Sequence, residues 1–322
     1  MALEDFGLIT RNLPIASEDK LIAGTWVADA KTILQDQGAV LLRGPVTRHD
    51  AAEIALSKLD GELLEDAFWS TPRSKVGGKT LTATEYPSPR TIPLHSEMAY
   101  MRSWPRLVCF HAIEVAETGG ETTICNIDRV SARLGNRLKP FRDKGVMYRR
   151  TFQKRVDIAW QNAFQTENRN DVEDIGRRSG MKIDWLPNDV LQTTHTAQGT
   201  IAAEDGQPIY FNQTHLFHPS ALDKPVRQAL EKAYGADRLP RQAAYGDGSP
   251  IAEADLDTVR DAFAACQTKM CWRAGDILIL DNLRYAHGRL PFTGARRLHV
   301  SLARLTTGPK RTALFAPEFA AT

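Results

Sequence analysis

The chain has 322 residues, 42% of them hydrophobic, and its 41 basic and 39 acidic side chains leave a formal charge of +2. Such a composition belongs to a globular chain with a sizeable core, and so slight a charge, with arginine pairs scattered at Arg149-Arg150, Arg177-Arg178 and Arg296-Arg297, excludes a nucleic-acid groove or a basic membrane stripe. No apolar run is long enough to span a membrane, the acidic start Met1-Ala2-Leu3-Glu4-Asp5 lacks a signal-peptide pattern, and Cys109, Cys125, Cys266 and Cys271 form no C-x-x-C pair. Core-packed thiols in a reducing cytoplasm are the expectation, and a homo-oligomer is compatible with it.

In chain order, Ser17 is placed to cap a helix over 18–35, and Thr47 or Asp50 to cap a second over 51–59. Between them Gly38-Ala39-Val40-Leu41-Leu42-Arg43-Gly44 reads as a buried strand bounded by glycines. Leu107-Val108-Cys109-Phe110-His111-Ala112-Ile113 predicts another strand, and the glycine turn of Thr118-Gly119-Gly120-Glu121 leads into one starting at Thr122. Residues 151–270 are more polar and helix-prone, with helices expected over 156–179, 225–234 and 253–266. A β pattern returns in Gly275-Asp276-Ile277-Leu278-Ile279-Leu280 and in Arg297-Leu298-His299-Val300-Ser301-Leu302. Strands at both ends enclosing a mixed insert predict a mainly β chain with helices: a jelly-roll core in one domain over 1–322, flanked by N-terminal helices, with the insert at its mouth.

The chemistry concentrates in Leu94-His95-Ser96-Glu97-Met98 and, far downstream, in Asp281-Asn282-Leu283-Arg284-Tyr285-Ala286-His287-Gly288-Arg289. Two imidazoles and one carboxylate are what a facial triad needs to hold Fe(II) on three corners of an octahedron, leaving three for a co-substrate and O₂. On a strand, residues i and i+2 project from one face about 6.6 Å apart, so His95 and Glu97 are expected to grip one ion while Ser96 points away. A third ligand comes from a distant strand: His287, or alternatively His215 or His218 in Phe211-Asn212-Gln213-Thr214-His215-Leu216-Phe217-His218. The context of Asp281-Asn282 and the arginine pair that follows favour His287.

Taken together with Pro93-Leu94, Trp104-Pro105, Gly119-Gly120-Glu121-Thr122, Lys144-Gly145-Val146-Met147-Tyr148-Arg149-Arg150, Phe211-Asn212-Gln213, Trp272, Gly275-Asp276 and Arg296-Arg297, these motifs run in order over roughly residues 90–305. In that order they resemble the taurine dioxygenase and 2,4-dichlorophenoxyacetate dioxygenase family of Fe(II)/2-oxoglutarate oxygenases, and most of all the branch with syringomycin-type aspartyl hydroxylases. The resemblance implies a double-stranded β-helix with His95, Glu97 and His287 as metal ligands and catalytic centre. It further implies Thr122 on a 2-oxoglutarate carboxylate and Arg297 on the distal one, where a planar guanidinium fork binds bidentately. Because Arg296 adjoins Arg297, and the spacing from His287 is one residue shorter than in taurine dioxygenase, either could be the anchor; neighbours on a strand face opposite ways, so one serves. A carboxylate at Glu97 disfavours a halogenase, since related halogenases have Gly or Ala there.

Asn212 and Gln213, which both donate and accept, are candidates for recognising a substrate, as are Arg150 and Tyr148; the alternative is local backbone satisfaction or a structural ion pair. The implied reaction consumes 2-oxoglutarate and O₂ on Fe(II) and hydroxylates an aliphatic carbon of an amino-acid-like substrate, free or tethered to a carrier protein, in specialised metabolism. Desaturation or cyclisation is the alternative outcome with the same cofactors. A cupin-like metal enzyme without 2-oxoglutarate, or a non-catalytic jelly-roll binding protein, would need neither Thr122 nor a buried arginine.

Overall fold

A computed structural model describes residues 12–15, 17–64, 74–83, 86–154, 156–312 and 314–315. Seven strands form a major sheet in the spatial order Asn12–Pro14, Ala39–Arg43, Ile277–Asp281, Ser103–Glu114, Arg297–Thr307, Thr80–Thr82 and Lys75–Gly77. Four more form a minor sheet in the order Thr268–Met270, Thr122–Asn126, Tyr285–Arg289 and Ile92–His95. The chain passes from one sheet to the other at successive turns, Ile92–His95 to Ser103–Glu114 to Thr122–Asn126, and later Ile277–Asp281 to Tyr285–Arg289 to Arg297–Thr307. That winding is the expected jelly roll, and it sets the two halves of the metal-ligand candidate side by side.

Alternate residues of the major sheet, such as Leu41, Val108, Phe110 and Leu280, meet Ile124, Met270 and Tyr285 of the minor sheet in one buried cluster. The other face of the major sheet, with Leu42, Leu107, Cys109 and Ile279, packs on helices Glu18–Ala23, Val27–Gln37 and Ala51–Lys58. Burial on both faces is why these strands read as unbroken apolar runs. Three of the cysteines are buried, as expected; Cys271 is exposed.

The expected first helix is two. Ser17 does cap its start, accepting from the Lys20 N–H, but Gly24 takes a left-handed conformation (φ +76°) that ends it after Ala23, and a second helix restarts at Val27. Asp50 sits at the N-cap of Ala51–Lys58 without capping it, because its carboxylate is engaged by the Arg48 guanidinium at 2.9 and 2.8 Å. The larger departure lies in the insert, which carries strands as well as helices. Lys182–Leu186, Val190–Ala197 and Arg241–Tyr245 join Val146–Phe152 in a four-stranded antiparallel sheet. Val190–Ala197 alternates buried and half-exposed residues, but its inward positions include Thr193 and His195, so a hydrophobicity pattern does not reveal the period. Among the described residues no helix is long and apolar enough to cross a membrane.

One ion pair spans the core. Arg106, 6% exposed, meets Asp281, 1% exposed, in a two-bond contact of 2.8 and 2.9 Å, and Asp281 also accepts the Leu283 N–H at 3.0 Å. Replacing Asp281 with alanine strands the guanidinium in the core, and urea unfolding should register a loss of about 3–5 kcal/mol.

Candidate active site

His95 ends strand Ile92–His95, and His287 stands directly opposite it on Tyr285–Arg289 in the antiparallel register. Cross-strand partners project from the same face, so the two rings lie with centroids 4.7 Å apart. Next to His287, Gly288 is obligatory for lack of room: a Cβ there would fall 2.5 Å from the Ile92 carbonyl oxygen and 2.6 Å from Thr123 Oγ1. Glu97 does not share the strand, contrary to expectation. The strand stops at His95 and residues 97–100 form a turn, with Met98 at φ +56°. That turn swings the Glu97 carboxylate to 3.6 Å from His287 Nε2, and one donor atom from each of His95, Glu97 and His287 lies within 4.8 Å of the others. Ser96 is itself buried.

A segment that leaves its sheet must find other partners for its backbone. His95 Nδ1 donates to the Pro93 oxygen (2.8 Å), which leaves Nε2 with its lone pair to offer. His215 Nε2 donates to the Leu94 oxygen (2.9 Å) and Gln213 Nε2 to the Ser96 oxygen (2.7 Å). Asn282 grips Glu97 on both sides, accepting its N–H at 2.7 Å and donating to its oxygen at 2.9 Å. Gln198 and His195 hold the oxygens of Ala99 and Tyr100.

Two cavities meet at this turn. The smaller is lined by His95, His287, Thr122, Arg289 and Arg296. Thr122 Oγ1 accepts the indole N–H of Trp272 at 2.9 Å, so its own proton is available to an anion. Arg296 Nε donates to the Gly120 oxygen, and burial, followed by the neighbouring Arg289, lowers its pKa to about 10, so it stays charged at neutral pH. Arg289 gives its two Nη atoms to the oxygens of Tyr86, Pro87 and Arg90 and so props the loop at the cavity edge. Arg297, the first choice from sequence, is exposed at the surface 3.9 Å from Glu114, because Arg296, Leu298 and Val300 take the cavity side of the chain and their neighbour Arg297 faces the other way.

The larger cavity, about 400 Å³, runs outward from His95 and Glu97 past Tyr100, Gln213 and Phe217 to Asp157 and Arg241. Of the substrate candidates, Gln213 lines it. Asn212 does not: it is buried away from the cavity, its amide donating to the Gly199 oxygen and accepting from Thr214 N and Oγ1. Arg150 is buried behind the wall, donating from Nη2 to Asp157 at 2.9 Å, and Tyr148 accepts the Gln213 N–H. His215 and His218 are occupied as well; Tyr210 and Leu94 take both nitrogens of the first, and Ser220 holds Nδ1 of the second.

The sequence pattern of the taurine catabolism dioxygenase TauD, TfdA family matches residues 3–304. The chain belongs to this family. It is therefore a non-haem Fe(II)/2-oxoglutarate-dependent dioxygenase. Within the curated proteins it is 37% identical over 298 residues to the dapdiamide synthesis protein DdaC of Enterobacter agglomerans, covering 92% of this chain and 90% of that one. A clavaminate synthase-like protein of Arabidopsis thaliana is 28% identical over 85% of this chain and 83% of its own. Two solved structures share the fold: asparagine oxygenase with Fe(II), 3-hydroxyasparagine and succinate (TM-score 0.55, 12% identity, 91% and 93% of the two chains) and PvcB from Pseudomonas aeruginosa (TM-score 0.51, 16%, 91% and 86%).

For a TauD/TfdA family member the triad suits the metal on its own geometry. His287 Nε2 stands 3.6 Å from a Glu97 carboxylate oxygen, beyond hydrogen-bond reach, a gap that an ion between the two would fill. Trp272, Asn282 and Arg289 lay in motifs already singled out, yet their tasks, holding Thr122, Glu97 and the loop, were not legible; Asp157 and Arg241 carried no signal at all.

Burial lowers the His215 pKa from 6.5 to about 4, against the opposing pull of its bond to Leu94. The folded state therefore binds fewer protons than the unfolded chain; His215 exacts nothing above about pH 6.5 and destabilises increasingly down to about pH 4. Unfolding free energies measured between pH 7 and 4.5 should fall less steeply in His215→Gln than in the wild-type protein.

Proposed function

We propose that His95, Glu97 and His287 hold Fe(II), that Thr122 and Arg296 receive 2-oxoglutarate, and that the larger cavity receives an amino-acid-like substrate whose aliphatic carbon is hydroxylated. The observation that carries this reading is the meeting of a two-imidazole, one-carboxylate cluster with a small cavity edged by two guanidiniums. A dicarboxylate co-substrate needs such a cationic recess; a metal enzyme without 2-oxoglutarate does not. For the substrate class, support comes from the relative named for dapdiamide synthesis and the fold shared with asparagine oxygenase. Membership of the family leaves hydroxylation, desaturation and cyclisation all within the same cofactor chemistry.

With 2-oxoglutarate and O₂, bound Fe(II) supplies oxidative decarboxylation to succinate and CO₂ and the oxidising power that functionalises an unactivated C–H bond. The protein's part is positioning. His95, its Nδ1 proton fixed on Pro93, offers a lone pair without having to lose a proton, and Asn282 holds Glu97 at the turn. Thr122, turned by Trp272, donates to one co-substrate carboxylate, while Arg296 pairs with the other and loses the repulsion of Arg289 in doing so. Gln213, with the insert's Leu216, Phe217, Asp157 and Arg241, forms the wall that selects which carbon faces the metal. On this reading residues 1–322 work as one catalytic domain, the insert over 151–270 serving as its lid and specificity wall.

Anaerobic titration of the apo-protein with Fe(II) and then 2-oxoglutarate should develop the weak visible charge-transfer band of a chelated keto acid, and His95→Ala should abolish it; iron binding without a band would favour the enzyme that needs no 2-oxoglutarate. In the same assay Arg296→Gln should weaken 2-oxoglutarate by about 10- to 100-fold, the worth of a charge-assisted pair. Arg297→Gln should change it by less than about twofold, as an exposed ion pair would. Equal losses in both variants would refute Arg296 as the anchor.

A further inference from the structure

The larger cavity ends, away from His95 and Glu97, on a charged wall. Arg150 and Arg241 stand directly opposite each other on neighbouring antiparallel strands, Val146–Phe152 and Arg241–Tyr245. Like charges in that relation repel unless something answers them. Asp157 does so, accepting Nη2 of Arg150 at 2.9 Å and lying 3.9 Å from Nε of Arg241. Asp157 and Arg241 line the cavity, and the Arg241 guanidinium lies over the Phe217 ring at 5.5 Å. Arg150 is 4% exposed just behind them, with Nε and Nη1 buried and without partners among the described residues. The rest of the lining is mainly apolar, with Ile92, Leu216, Leu222, Val226 and Leu230, and carries Gln213 and His218 as polar exceptions.

The ordering of charge decides what can dock here. The one carboxylate on the wall already sits between two cations, so it offers little to an ammonium group. A guanidinium at the cavity surface, backed by a second with unsatisfied donors, suits a planar anion. The apolar sides accommodate a hydrocarbon body reaching from that anion toward the metal.

We infer that Arg241, supported by the Arg150–Asp157 pair, binds a carboxylate of the substrate. This rests on the larger cavity being the substrate site, as proposed above. Arg241 acts as a specificity-determining residue, and the distance from carboxylate to metal sets which carbon of the body is oxidised.

The test uses the anaerobic enzyme loaded with Fe(II) and saturating 2-oxoglutarate, so that the Arg296 cavity is filled and its optical band reports on it. Hexanoate, hexanamide and hexylamine, which share the apolar body and differ at the head, are titrated by calorimetry. Hexanoate should bind at least about tenfold more tightly than the other two, the worth of one charge-assisted pair. That preference should vanish in Arg241→Gln and survive in part in Arg241→Lys, which keeps the charge without the fork, with the band unchanged throughout. Hexanoate binding no better than hexanamide, or an acid preference untouched in both variants, would overturn the inference. Absence of the band with the acid preference intact would strike the cofactor reading and leave the carboxylate anchor standing.

Discussion

Everything at this site depends on residues 93–100 leaving the minor sheet while keeping their backbone satisfied. A strand would deliver His95 opposite His287 and then carry Glu97 onward in the sheet. By ending at His95, the chain turns Glu97 back toward His287, but it exposes carbonyls and amides inside the protein with no ladder to take them. Side chains from distant elements take over: Asn282 at both polar groups of Glu97, Gln213 at Ser96, His215 at Leu94, His195 at Tyr100. Each is buried, so each bond is made in a setting where leaving it unmade is expensive. The rigidity of the metal-ligand cluster is the sum of these contacts.

The same contacts tie the insert to the jelly roll. Gln213 and His215 belong to the insert, and they hold the turn that bears Glu97; the insert's helix Glu253–Cys266 packs on the cluster through Phe263, which stacks on His215 with centroids 4.9 Å apart. The region that shapes the larger cavity thus also holds the turn that bears Glu97. A change of substrate in this architecture has to be made at positions such as Leu216, Val226 or Arg241, which line the cavity without gripping the turn.

Charge is divided between the cavities in a matching way. Arg289 and Arg296 edge the small one, and the Arg150–Asp157–Arg241 wall closes the large one. His95 lines both cavities, and Glu97 the larger. On the proposed reading, two anionic ligands would then be drawn to separate guanidiniums on either side of the His95–Glu97–His287 cluster.

The linear chain was enough to single out His95, Glu97, His287 and Thr122, which the fold brings to one place, and the strands that carry most of them, because chemically distinctive residues at short spacing and apolar runs buried on two faces leave local marks. The N-terminal cap at Ser17 and helix Glu253–Cys266 were legible for the same reason. What needed the tertiary structure was any choice that turned on facing. Arg296 and Arg297 are equivalent as neighbours, and only the placement of their strand, with Arg296, Leu298 and Val300 on the side of the small cavity, turns the first inward and the second to solvent. Asn212 and Gln213 are equally polar, but a local turn buries the first away from the cavity and leaves the second on it. Asp157, Arg150 and Arg241 come together only through strand pairing across more than eighty residues of chain, and a contact of that range leaves no trace in composition or period.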